Sequence, residues 1–127
     1  MPGTTTTWSP NFGFAMTAQR VTDAEMEGVS LDHVRGFWNA AERIHADSIE
    51  QFRDRFQPFG LAPDAVKTNF GCAENVGGAT FTAPGQSPVI ERLDRRALHE
   101  ESIARILPSE TDDAEALRVV STGAPYP

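Results

Sequence analysis

Apolar positions recur along this chain with two different periods, and the switch between them sketches the fold. Ile49, Phe52 and Phe56 fall on one helical stripe. Asp47 stands at the predicted N-cap with Glu50 three residues on, and Pro58 and Gly60 end the helix. On either side lie short runs without helical period, Val34-Arg35-Gly36-Phe37-Trp38 and Ala65-Val66-Lys67-Thr68. Strand, helix and strand over residues 34–71 predict a βαβ unit with a right-handed crossover. Parallel strands joined this way release their following loops at one sheet edge, where α/β folds bind ligands. Those loops are Asn39-Ala40-Ala41-Glu42 and Asn69-Phe70-Gly71-Cys72-Ala73-Glu74-Asn75.

Before this unit, residues 1–8 are Thr-rich and read as an entry strand or a tail. Ser9-Pro10 predicts a helix start with Ser9 as cap, and Phe12, Ala15, Met16 and Gln19 share one face of that helix. Thr22-Asp23-Ala24-Glu25 is a capping-box pattern opening a short turn that Gly28 closes. After the unit, residues 77–82 read as a short strand, Ala83-Pro84-Gly85-Gln86 as a turn and 89–93 as a weakly alternating strand. Asp94 is expected to cap a helical or mixed segment reaching Leu107. Residues 109–114 form a polar loop, 117–121 a last strand and 123–127 a turn. The predicted class is α/β: a partly parallel β-sheet flanked by helices, with an irregular edge from Gly77 to Leu93.

At 127 residues with 39% hydrophobic content, the chain suits one domain or part of one. Its formal charge is −7 and Lys67 is its only lysine, so no basic stripe exists for nucleic acid or anionic membrane. No apolar run approaches a membrane span, and the start has neither a charged nor an apolar signal region. A single cysteine, Cys72, fits a reducing compartment, and a cytoplasmic location is expected. His33, His45 and His99 lack ligand spacing.

The chemistry therefore concentrates in the two loops. Glu74, just past a strand end, can hold Mg2+ beside a phosphate, because that hard cation prefers oxygen ligands. Phe70 can stack on a flat base, and Gly71 lets backbone approach a ligand. The small side chains of Ala40 and Ala41, with Glu42, leave room for a planar group opposite. The plainer alternative keeps Phe70 in the core and Glu74 in solvent. Phe12, Phe14 and Met16 suit either an acyl pocket or ordinary core.

Five segments in order resemble fatty acyl-AMP ligases of the adenylate-forming superfamily. They are Ser-Pro-Asn-Phe-Gly-Phe at 9–14, Asn-Ala-Ala-Glu at 39–42, Phe-Gly-Cys-Ala-Glu at 70–74, Pro-Val-Ile-Glu-Arg-Leu-Asp-Arg-Arg-Ala-Leu at 88–98 and Val-Ser-Thr-Gly-Ala-Pro-Tyr-Pro at 120–127. The resemblance implies activation of a fatty or other carboxylic acid with ATP and Mg2+ to an acyl-adenylate, then transfer to an acyl carrier protein. It implies ATP or AMP contacts at Asn39, Ala40, Ala41, Glu42, Asn69, Phe70, Gly71 and Ala73, with Glu74 as the catalytic, Mg2+-contacting acid. Asn11, Phe12 and Phe14 are implied to lie by the acyl tunnel.

The chain departs from the family pattern at three positions: Phe70 stands for a usual Tyr, Ala40 for Gly and Arg43 for Pro. Ala73 is the choice of this branch where many relatives carry Thr. The family's phosphate loop, ribose-binding Asp, hinge and catalytic Lys have no counterpart in the sequence. The expectation is a partial AMP-binding domain over 1–127, a segment of the large N-terminal domain that is inactive in isolation. The alternative is an assembly or regulatory module whose exposed edges favour self-association.

Overall fold

The first three strands run parallel because a crossover with a helix in it joins each to the next. The computed structural model describes residues 5–75 and 77–125. Thr4, the first of the four threonines, and Tyr126-Pro127, the end of the last family segment, lie outside the described residues. Strand β1 (Thr6–Ser9) leads to helix α1 (Asn11–Arg20), β2 (Gly36–Asn39) to α2 (Ala46–Phe56), and then comes β3 (Val66–Phe70). β1 pairs with β2 and β2 with β3, both parallel, with Phe37 opposite Val66 and Asn39 opposite Thr68. Short strands β4 (Thr80–Phe81) and β7 (Ala124–Pro125) add antiparallel, giving the order β1-β2-β3-β4-β7. Strands β5 (Ile90–Asp94) and β6 (Ala116–Val120) form a separate two-stranded sheet, with α3 (Arg95–Glu101) between them in sequence.

Phe52 of α2 is the centre of the core. Its ring lies 4.8 Å from Phe14 of α1, 5.2 Å from Phe37 of β2 and 4.7 Å from Phe56. Met26, Ile49, Leu61, Ala65 and Val66 complete this cluster. Burying such rings is worth about 1.5–3 kcal/mol each, and their mutual tilt adds quadrupole attraction. Side chains alternate along β2, so Trp38 points to the other sheet face. There it stacks on Trp8 at 5.6 Å and meets the edge of Phe81 at 5.5 Å. Lys67, opposite Trp38, is 3% exposed and donates to the Ala83 and Gln86 carbonyls at 3.4 and 2.7 Å.

Several boundaries differ from expectation for identifiable reasons. Ser9 is the last residue of β1, paired with Asn39, so its backbone belongs to the sheet and Pro10 becomes an N-cap without side-chain bonding. α2 is likewise capped from His45; Asp47 sits in the first turn and turns to Arg118. Asp94 does cap α3, accepting from the Ala97 N–H at 2.9 Å. That helix stops at Glu101, because Ser102 turns left-handed with φ 58° and the chain returns beside β5. The expected irregular edge is instead β4, inside the large sheet, followed by β5 in the small one. The predicted closing turn contains β7, reached through Gly123 at φ 90°, where any β-carbon would strike the backbone of Phe81.

Candidate nucleotide cleft

The C-terminal ends of β2 and β3 are neighbours, and a cleft of about 370 Å³ opens beside them. Ala41, Glu42, Asn69, Phe70 and Gly71 line it from these two loops. Phe70, the last residue of β3, is 57% exposed rather than sealed in the core. Ala41 holds φ 70°, a left-handed conformation costing about 1–2 kcal/mol for a residue with a β-carbon. Glu42 ties this loop to the next element: its carboxylate accepts the Phe12 N–H at 2.6 Å, serving the otherwise unpaired first turn of α1.

Gly71 has a steric role distinct from ligand approach. A β-carbon there would collide with the Gly77 carbonyl and the Gly78 nitrogen, because the 71–79 loop folds back over it. The Ala79 N–H donates to the Phe70 carbonyl at 2.7 Å and the Gly77 N–H to the Cys72 carbonyl at 2.9 Å. Inside this loop, Ala73 and Glu74 open a 3₁₀ turn and are exposed. The Glu74 carboxyl is held below its usual pKa, first by its own backbone N–H and then by the Cys72 thiol. Its carboxylate is thus ionised at neutral pH and open to solvent. Among the described residues, Ala40, Ala73 and Glu74 are not part of the cleft lining.

Asn39 and Asn11 sit elsewhere. Asn39 is fully buried, its amide donating to Asn11 Oδ1 at 3.1 Å. That oxygen also accepts the His45 N–H at 3.0 Å, and Asn11 Nδ2 donates to Ser48 Oγ at 3.1 Å. The two amides therefore join the end of β2 to the starts of both helices. Phe14 is buried in the core, whereas Phe12 is 60% exposed, so the two rings do not share one environment. An apolar groove of about 430 Å³ runs beside Phe14, Phe37 and Phe52.

The rest of the cleft comes from residues the sequence did not single out for it: Arg43, Ile44, Arg118, Val119, Val120 and Thr122. The motif at 120–127 marked that region, but its approach to Phe70 depends on how the β5–β6 sheet folds back. Among the described residues, no group of three or more His, Cys, Asp or Glu is arranged to hold a metal ion. No helix of the described residues is long and apolar enough to cross a membrane.

No protein-family model matches the chain. It is 34% identical over 119 residues to the long-chain-fatty-acid–AMP ligase FadD26 of Mycobacterium marinum, covering 94% of this chain and 20% of that protein. It is 32% identical over 118 residues to the 4-hydroxyphenylalkanoate adenylyltransferase of the same organism, covering 93% and 18%. The fatty acyl-adenylate ligase from L. pneumophila, solved with acyl adenylate and pyrophosphate, superposes with a TM-score of 0.84 at 25% identity, covering 95% of this chain and 21% of that one. The chain thus spans about a fifth of the length of the curated relatives it matches. Over more than nine-tenths of its residues the chain thus matches, in sequence and in fold, one segment of the fatty acyl-AMP ligases, which are adenylate-forming enzymes.

Proposed function

We propose that this chain carries the adenine-binding part of a ligase that activates a fatty or other carboxylic acid with Mg-ATP and passes the acyl group to a carrier protein. The observation that supports it is the exposed ring of Phe70 in one cleft with the small Ala41. A flat purine fits such a slot, since an aromatic face and a methyl-sized wall leave room for a stacked ring. Phe70 and Asn69 would hold the base on the β3 side, and Ala40, Ala41 and Glu42 on the β2 side. Glu74 would offer one ionised oxygen ligand to Mg2+, with the remaining ligands coming from phosphates and water. ATP supplies the leaving pyrophosphate; this chain contributes binding and orientation of the nucleoside. The acyl chain is assigned to the α1 side, near Phe12 and Phe14.

Alone, the chain should bind nucleotide with a Kd of about millimolar or weaker and form no adenylate, because stacking supplies about 1–3 kcal/mol and a millimolar Kd already needs about 4 kcal/mol. Titrating AMP while following the amides of Asn69 to Gly71 by NMR tests this. Saturable shifts at those amides are expected in the wild type and none in Phe70→Ala, since base stacking is worth about 1–3 kcal/mol. Micromolar affinity, or shifts retained in Phe70→Ala, would overturn the reading. In a full-length ligase carrying this segment, Glu74→Ala should abolish acid-dependent pyrophosphate release, and retained activity would remove Glu74 from the site.

A further inference from the structure

We propose that Arg118 is a positioning residue for this cleft: through Asp47 and Glu50 it pins the β5–β6 sheet against α2 and sets where the far wall stands. The proposal deepens the nucleotide reading and rests on it. The two-stranded sheet shares no hydrogen-bonded ladder with the five-stranded one; β7, which follows β6, pairs with β4 at Ala124 and Pro125, so backbone pairing anchors the Thr122 end of the wall and not β6 itself. Yet Val119, Val120 and Thr122 line the same cleft as Ala41 and Phe70. The placement of the Val119 end therefore depends on side chains.

One end of the wall is tethered by short-range contacts. Thr68 Oγ1 donates to the Ser121 carbonyl at 2.7 Å, and the Thr80 and Thr122 hydroxyls bond at 2.9 Å. Val120 packs on the main core. Farther along β6, the attachment is ionic. Arg118 Nη1 donates to the Asp47 carboxylate at 2.8 Å, and Nη2 donates to the Glu50 carboxylate. The two acids stand three residues apart on one face of α2, one helical turn from each other. A planar guanidinium held at both prongs fixes direction as well as distance, so β6 cannot slide along the helix without losing a bond. The Glu50 hydrogen bond raises the Arg118 pKa further, so the cation persists across any working pH. Arg118 is also the single charged residue of β6, among Ala116, Leu117, Val119 and Val120. Arg118 itself lines the cleft, but its guanidinium is committed to Asp47 and Glu50 on the helix, so it acts by setting where its neighbours stand.

The test uses the full chain and adenosine, which carries no charge, so salt acts on the clamp and not on the ligand. Exposed ion pairs are individually weak and screened. Arg118→Met should therefore weaken adenosine binding by about three- to tenfold. It should speed hydrogen exchange of the β6 amides by a similar factor and abolish the salt dependence of binding expected of the wild type. Arg118→Lys, which keeps the charge but loses the fork, should fall between the two. Arg118→Met with wild-type affinity, wild-type salt slope and protected β6 amides would overturn the proposal. A wild type that never responds to adenosine, while Arg118→Met still loosens β6, would sink the nucleotide reading and leave the clamp standing.

Discussion

Adding one methyl group at Gly71 should open the loop that carries Glu74. The obstruction at that position is backbone, the carbonyl of Gly77 and the nitrogen of Gly78, so no flexible side chain can swing aside. To accommodate Gly71→Ala, the 71–79 loop must move off β3. Doing so breaks the Ala79 N–H bond to Phe70 (2.7 Å) and the Gly77 N–H bond to Cys72 (2.9 Å). Two hydrogen bonds at about 0.5–1.5 kcal/mol each put the cost at about 1–3 kcal/mol. For a chain of this size, about 3–5 °C per kcal/mol gives a drop of about 3–15 °C in Tm. Scanning calorimetry measures the drop, and hydrogen exchange locates it. Exchange should accelerate at Ala79 while Ile49 and Phe52, at the centre of the core, keep their relative protection. A Tm within about 1 °C of wild type, with the Ala79 amide still protected, would refute the steric argument.

Two further outcomes follow from buried or capped groups. Lys67→Met should destabilise the chain by about 1–3 kcal/mol in urea unfolding, since hydrogen bonds from a cation to the Ala83 and Gln86 carbonyls are lost from a nearly fully buried site. Asp94 is held below its ordinary pKa, chiefly by the Ala97 N–H it accepts, so its folded form favours the carboxylate. Its contribution is complete at neutral pH, begins to fall below the ordinary aspartate pKa and is gone once pH drops beneath the lowered folded value. Protection of the Ala97 amide should fade across that acidic window, and Asp94→Asn should flatten the response.

The helical stripe of Ile49, Phe52 and Phe56, with apolar runs on both sides, was enough to foresee parallel β2 and β3 with α2 between them. Periodicity is a local property, and burial of one stripe against a sheet enforces it. For the same reason the loops ending at Glu42 and beginning at Asn69 could be paired from the sequence, since the crossover requires their common edge. Glu74 was singled out by its place past a strand end and Ala73 by motif resemblance, and the structure holds both in a solvent-facing turn beside that edge rather than in the cleft lining.

Tertiary contacts decided the rest. Asp47 looks like a helix cap in sequence, but an arginine some seventy positions away claims its carboxylate, and His45 takes the capping position without side-chain bonding. Asn11 and Asn39 look like ligand contacts beside a site, yet in the buried state the Asn39 amide donates to Asn11 Oδ1, which also accepts the His45 N–H, while Asn39 Oδ1 is left unpaired among the described residues. The far wall of the cleft has no local signature either, because Val119 and Val120 acquire their role only when β6 docks on α2. Local pattern thus determines which segments become strands and helices. Which polar groups are free to meet a ligand is settled by the partners that folding brings to them, and hydrogen-bond satisfaction in the buried state makes that choice.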